Sequence, residues 1–216
     1  MEENVFIKVL NDEEIKVCLK GIEQKTFASG DVTQPDGKLK QNKESFTVSD
    51  KVRKLITDKL YDNHYCDSVY CPTRVSVNFY NEYKKGDFYN LHIDEFKARP
   101  KSKNIYFDYG WSLNLSDKYE GGEFVLTLDN FEKYGKKLCA GEMVIFPIIY
   151  PHEVLPIKSG IRKNIVGWFS SNITYEQTYI LKNLYAVSNY CSTDKQLSVQ
   201  ANLIQNYLKK TWGKVS

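Results

Sequence analysis

Apolar and polar positions change their period several times along the chain. Val5, Ile7 and Val9 alternate as a half-buried strand does, and Asn11-Asp12-Glu13-Glu14 then supplies a cap and first-turn acids before Ile15, Cys18, Leu19 and Ile22 at helical spacing. Over 27–45 almost nothing is apolar, and Gly30, Pro35-Asp36-Gly37 and a Lys/Gln/Asn run predict a long mobile loop. Ser49 or Asp50 caps a second helix whose Val52, Leu55, Ile56 and Leu60 share one face, so both helices are expected to pack on a sheet.

From residue 73 to residue 169 the period shortens to that of strands, at 75–79, 88–93, 109–115, 123–128, 143–147 and 164–169. Turn signals at Glu120-Gly121-Gly122, Lys133-Tyr134-Gly135 and Lys158-Ser159-Gly160 punctuate them. Short strands at this spacing predict a sandwich or jelly roll. Helical periodicity returns with Thr174-x-x-Gln177 ahead of Ile180, Leu184 and Val187, and Thr193-x-x-Gln196 ahead of Leu197, Ala201, Ile204 and Leu208, each a capping-box pattern. The expected class is α+β with a mainly β core, in one domain over 1–216. Residues 1–72 form a support region, 73–171 the jelly-roll core and 172–216 the C-terminal helices.

Composition narrows this. With 216 residues, 42% of them hydrophobic and 26% charged, the chain can bury one sizeable core, which excludes a disordered or fibrous protein. The uncharged stretch 143–152 contains Pro147 and Pro151 and falls short of the ~20 apolar residues that span a bilayer, so no membrane partner is expected. The acidic start Met1-Glu2-Glu3-Asn4 does not read as a signal peptide, and the expected location is cytoplasmic. Five scattered cysteines argue for reduced thiols; Cys66 and Cys71 lack a second Cys/His pair for a zinc site and read as core or loop thiols. A net charge of +3 does not make nucleic acid the expected partner.

Two of only three histidines stand where a metal could use them. In a strand, residues two apart share a face, so His92 and Asp94 can offer an imidazole and a carboxylate to one point while Ile93 packs behind. His152, in Tyr150-Pro151-His152-Glu153-Val154, would complete a two-His, one-carboxylate set that leaves positions open on Fe(II). Taken alone, His-x-Asp is a weak signal. Arg162 strengthens it: with a hairpin turn at Lys158-Ser159-Gly160 it would stand on the strand beside His152 and grip the distal carboxylate of a dicarboxylate cosubstrate, 2-oxoglutarate, through its planar fork. His64, in Asp62-Asn63-His64-Tyr65, reads as an ordinary surface or helix-end histidine.

Five stretches in order resemble the Fe(II)/2-oxoglutarate dioxygenases of the prolyl 4-hydroxylase superfamily, and within it the bacterial PKHD-type hydroxylases. They are Lys40-Gln41-Asn42-Lys43; Asn81-Glu82-Tyr83-Lys84-Lys85-Gly86 leading to His92-Ile93-Asp94; Ser112-Leu113-Asn114-Leu115-Ser116 with Tyr119-Glu120-Gly121-Gly122-Glu123; Gly141 to Pro147; and Pro151-His152-Glu153-Val154 through Arg162 to Trp168. The resemblance implies a double-stranded β-helix, iron ligands at His92, Asp94 and His152, and a 2-oxoglutarate anchor at Arg162. It implies a prolyl, or less readily lysyl, target in a peptide or protein, with ascorbate keeping the iron reduced. Tyr83 and Tyr89 fall where such families use a tyrosine hydroxyl on the cosubstrate, though packing tyrosines would look the same. Ser112 matches a position where some relatives place a tyrosine to assist the arginine. Trp168 and Phe169 read as core residues, and Gly121-Gly122 as a tight turn.

Two other readings remain. A nucleic-acid dealkylating oxygenase shares the Asn81-x-Tyr83-x-x-Gly86 lead, but such enzymes carry a second arginine where this chain has Trp168. A non-catalytic jelly-roll binding module would release no succinate. Lys97, Arg99, Lys101 and Lys103, with Pro100 among them, either form a solvated loop or, together with 27–45, a lid favouring substrates acidic near the target. The oligomeric state does not follow from these residues.

Overall fold

A computed structural model describes residues 6–22, 28–29, 39–45, 48–95, 105–128, 131–190 and 194–212. The chain opens with β1 (Phe6–Lys8) and α1 (Asp12–Lys20), where Asn11 and Glu14 form the reciprocal capping box. Three short strands follow, β2 (Ala28–Ser29), β3 (Lys40–Gln41) and β4 (Lys43–Ser45). Then come α2 (Asp50–Asp62), capped by Ser49, and α3 (His64–Val69), capped by Asn63. The β region comprises β5 (Pro72–Lys84), β6 (Phe88–His92), β7 (Tyr109–Asn114), β8 (Tyr119–Gly121), β9 (Phe124–Thr127), β10 (Lys133–Lys136), β11 (Glu142–Pro147), β12 (His152–Val154) and β13 (Ile157–Ser171). Two helices close the order, α4 (Tyr175–Tyr190) and α5 (Lys195–Trp212).

Among the described residues the strands form two antiparallel sheets. The larger runs β1-β11-β7-β13-β5-β4-β2, with β8 also on β13; the smaller runs β10-β9-β12-β6-β3. This is the jelly roll, with a cavity lined from both sheets. The outer face of the larger sheet is covered by the helices: Cys18 of α1, Val52, Ile56 and Leu60 of α2 and Cys66 of α3 meet Leu113, Ile165 and Phe169 in one apolar cluster. A second cluster, including Leu126, Val144, Phe146 and Val154, joins residues of the two sheets. β7 is buried along its whole length, and its apolar Trp111 and Leu113 alternate with polar Ser112 and Asn114.

Several sequence expectations are corrected here. The segment 27–45 contains three strands, not only loop: β3 pairs β6 and β4 pairs β5. Lys133-Tyr134-Gly135 belongs to β10, paired with β9, and is not a turn. Both departures have one cause: edge pairing uses backbone groups that every residue carries, so polar segments join a sheet without an apolar signature. Lys158-Ser159-Gly160 is no hairpin tip; β13 runs through it, with register irregular against β8 and Gly160 at φ 75°. Ile93 does not pack behind the His-x-Asp pair but is 58% exposed. Asp194, whose carboxylate accepts from Gln196 and Leu197, caps α5. The proposed cap Thr193 lies outside the described residues, as do Val5, Cys191, 30–38 and the cations Lys97, Arg99, Lys101 and Lys103, and with them most of the expected lid.

Candidate metal centre and cosubstrate pocket

His92 ends β6 and His152 begins β12, and the two are direct partners across these strands. Asp94 lies two residues beyond His92 on the same side, as strand alternation requires. The Oδ1 of Asp94 is 3.6 Å from His92 Nε2 and 3.8 Å from His152 Nε2, and one donor from each of the three lies within 4.8 Å of the others. Donors that each stand ~2.0–2.2 Å from one ion are at most ~4.4 Å apart, so the carboxylate-to-imidazole spacings suit a shared divalent metal. No other such cluster occurs among the described residues, and Cys66 and Cys71 are not part of one.

The surroundings aim these donors inward. His92 Nδ1 is 2.8 Å from the Asn90 carbonyl and His152 Nδ1 is 3.1 Å from the Tyr150 carbonyl. A carbonyl can only accept, so each Nδ1 carries the proton and each Nε2 turns a lone pair to the centre. His92 Nε2 is buried with no hydrogen-bond partner, the orphan that a metal would satisfy. Burial, and for His92 also the neighbouring His152, lowers both imidazoles to about 4, which leaves them neutral. Burial pushes the Asp94 carboxyl up; a divalent cation at this point would favour its ionised form. The other oxygen of Asp94 accepts from the Trp168 indole N–H at 2.8 Å.

Arg162 stands on β13 in the larger sheet, opposite and not beside His152, correcting the hairpin expectation. It is 1% exposed, and among the described residues no carboxylate pairs with it. Its guanidinium donates to Asn164 at 3.3 Å and Ser112 at 3.5 Å, both of which line the cavity, and lies 5.4 Å from the Tyr83 ring centroid. Tyr119 borders it too, its phenol pushed up by burial but held back by the guanidinium. A buried cation with only neutral partners is costly unless an anion completes the site. Gly122, at φ 66°, makes room for it, since a Cβ there would run into Ile157 and press on Arg162 Cδ.

Tyr83, Tyr89, His92, Asp94, Ser112 and His152 all line one cavity, and Arg162 borders it through Ser112 and Asn164. Tyr89 stacks on His92 with centroids 3.6 Å apart. The sequence reading missed four contributors: Asn81, Asn164, Trp168 and Lys40, the last with its ammonium 4.7 Å from the Tyr89 ring. Asn164 was within reach, two residues from Arg162 on the same strand face. Trp168, read as core, faces the cavity. His64, by contrast, lies at the start of α3 beside Ser68 and Tyr185, away from the cavity.

A jelly roll with this three-donor centre and a buried arginine is the frame of an iron- and 2-oxoglutarate-dependent oxygenase. The profile of the 2OG-Fe(II) oxygenase superfamily matches residues 75–170. A PKHD-type hydroxylase of Prochlorococcus marinus strain MIT 9515 is 31% identical over 176 residues, 77% of each chain. The chain belongs to this family of PKHD-type hydroxylases and is a 2-oxoglutarate-dependent iron oxygenase. Among solved structures, a prolyl hydroxylase of Trichoplax adhaerens, in complex with a hypoxia inducible factor peptide fragment, aligns at TM-score 0.59 and 15% identity over 82% of this chain and 87% of that one. HygX of Streptomyces hygroscopicus, with nickel and 2-oxoglutarate bound, aligns at TM-score 0.57 and 11% identity over 78% and 83%. At these identities the two share the fold. Family membership implies ferrous iron and 2-oxoglutarate as cofactors.

Proposed function

We propose that the protein hydroxylates a prolyl side chain, or less readily a lysyl one, in a peptide or protein, with His92, Asp94 and His152 holding iron and Arg162 holding 2-oxoglutarate. The buried Arg162 guanidinium carries this reading: no carboxylate among the described residues pairs with it, and it borders the donor-lined cavity through Ser112 and Asn164 from the opposite sheet. Its planar fork suits a carboxylate, and Tyr83, Ser112 and Asn164 surround the same end. Iron and 2-oxoglutarate together supply the oxidising chemistry, with succinate and carbon dioxide released. The chain's part is to bind and orient. The two histidines are held as neutral Nδ1–H tautomers and Asp94 is fixed by Trp168, while Phe124, Phe146 and Val166 wall the cavity with apolar surface that limits water. The prolyl target rests on the PKHD-type relatives and on the peptide-bound prolyl hydroxylase of the same fold. The same reading takes ascorbate as reductant and the cytoplasm as location. Trp168, where dealkylating oxygenases carry a second arginine, is engaged with Asp94, which disfavours that alternative.

The test is anaerobic loading with Fe(II) and 2-oxoglutarate, then exposure to air with prolyl and lysyl peptides. Succinate release coupled to a gain of one oxygen atom on proline is expected. Turnover coupled only to another substrate class would overturn the prolyl assignment, and metal-independent behaviour with no succinate would overturn the enzyme reading.

A further inference from the structure

Lys40, the first residue of the Lys40-Gln41-Asn42-Lys43 stretch, is 5% exposed. Lysine is among the residues least often buried, and its stem normally carries the ammonium out to water. Here the ammonium lies 4.7 Å from the centre of the Tyr89 ring. Among the described residues Lys40 is the one lysine or arginine that lines the cavity of His92, Asp94 and His152, which Arg162 borders through Ser112 and Asn164. The segment that bears it is pinned to both sheets. β3 pairs β6, with Lys40 opposite Tyr89, and β4 pairs β5, while between them buried Asn42 donates to Asn81 at 2.8 Å. A charge carried on such a segment is held in place before any ligand arrives.

Tyr89 shows where that charge stands. Residues three apart on a regular strand face opposite ways. His152 pairs with His92 and Val154 with Tyr89, however, so three steps along β6 match two along β12. This bulge turns Tyr89 to the side of His92, and the two rings stack with centroids 3.6 Å apart. Tyr89 also packs against the cluster of Tyr83, Tyr119 and Ile157, of which Tyr83 and Tyr119 border the Arg162 guanidinium. A dicarboxylate with one end on the metal and the other on Arg162 therefore runs past Tyr89, and with it past the Lys40 ammonium. Electrostatics agree on which end Lys40 serves. Beyond burial, which dominates all three groups, its charge acts on His92 and Asp94, whereas that of Arg162 acts on the Tyr119 phenol.

We propose that Lys40 is a second cationic contact for 2-oxoglutarate, holding the carboxylate next to the metal while Arg162 holds the distal one. This rests on the assignment of the metal to His92, Asp94 and His152 and of the distal carboxylate to Arg162, and it deepens that assignment by one residue. An ammonium suits the metal end. A carboxylate that gives one oxygen to a metal keeps the other for a compact point charge, whereas the planar fork of an arginine competes for both. Before the cosubstrate arrives, the same cation opposes a divalent metal; afterwards it offsets the anion.

Calorimetry on protein loaded with redox-silent Mn(II) tests it, comparing 2-oxoglutarate with 2-oxopentanoate, which keeps the 2-oxo acid and lacks the distal carboxylate. Lys40→Met is expected to weaken both by a similar factor, about 10- to 100-fold, the loss of one charge-assisted hydrogen bond. Arg162→Lys is expected to weaken 2-oxoglutarate and leave 2-oxopentanoate nearly as it was. Without cosubstrate, Mn(II) affinity in Lys40→Met is expected to hold or rise; a lysine that merely kept Tyr89 and His92 in place would lower it. A crystal of the native chain with Mn(II) and 2-oxoglutarate needs no substitution, and the Lys40 ammonium is expected at about 2.7–2.9 Å from the metal-end carboxylate. Lys40→Met that binds both oxo acids as the native chain does, or that weakens the bare metal instead, would overturn the proposal. So would a Lys40 turned away from the cosubstrate in the crystal; in each case an intact effect of Arg162→Lys on 2-oxoglutarate would leave the cosubstrate assignment standing. A native chain that binds no 2-oxoglutarate would overturn that assignment, and the proposal with it.

Discussion

Asp94 lines the cavity and Arg162 borders it through Ser112 and Asn164, and each takes its meaning from what faces it. Replacing Arg162 by lysine keeps the charge but loses the fork; 2-oxoglutarate affinity is expected to fall about tenfold or more while metal affinity holds, measured by anaerobic calorimetry with Fe(II) and then 2-oxoglutarate. Equal loss of both affinities would contradict the assigned division of labour. Trp168→Phe removes the N–H bonded to Asp94 and keeps most of the ring. Metal affinity is expected to fall by about 10- to 100-fold, the usual effect of losing an outer partner of a ligand. That His92, Asp94 and His152 would converge was legible because histidine is scarce here and their spacing suits a shared metal, whereas the hairpin that marked Arg162 does not exist and the arginine stands in the opposite sheet. Trp168 was not: a tryptophan in an apolar strand reads as core, and only the approach of Asp94 from the other sheet gives its N–H a partner.

The helices α1, α2 and α3 serve the site indirectly by covering the back of the sheet that carries Arg162. Ile56 is wholly buried in that layer, so Ile56→Ala is expected to cost about 2–5 kcal/mol in urea unfolding without moving the cavity residues. Burial in the same layer pushes the Cys18 and Cys66 thiols up to about 12. Alkylation of the native protein at about pH 8 should therefore reach exposed Cys139 and spare both until the chain unfolds. The sign of the linkage follows. Between about 9 and about 12 the folded state holds protons that unfolded thiols release, so this contribution to stability is present below about 9 and lost as pH rises. Capping sequences announced α1, α2 and α4 well, whereas α3, β2, β3, β4, β8 and β10 went unread. Short polar strands pair through the backbone and leave little trace in side-chain periodicity.

For the whole molecule, the decisive arrangement is two sheets that bring β6 and β12 to one side of the cavity and β13 to the other. Ligands that bind across it should stabilise the fold as a unit, by ~2.7 kcal/mol for a ligand at a hundredfold excess over its Kd. Thermal melts are expected to rise with metal and again with 2-oxoglutarate. His152→Ala should lose both increments, and Arg162→Lys mainly the second; a 2-oxoglutarate shift that survives in both variants would place the cosubstrate elsewhere. By itself the order of residues determined the strand and helix periods, most caps and the chemistry-bearing positions, because these depend on neighbours a few residues apart. Tertiary structure alone decided that Arg162 stands in the opposite sheet from His152 when a hairpin beside it was expected, that Trp168 holds Asp94, and that Ile180 and Ile204 stay uncovered. A sequence encodes which face of an element is apolar or armed; what meets that face depends on pairing between segments as far apart as β1 and β11, where Phe6 pairs with Val144, made largely through backbone groups common to all of them.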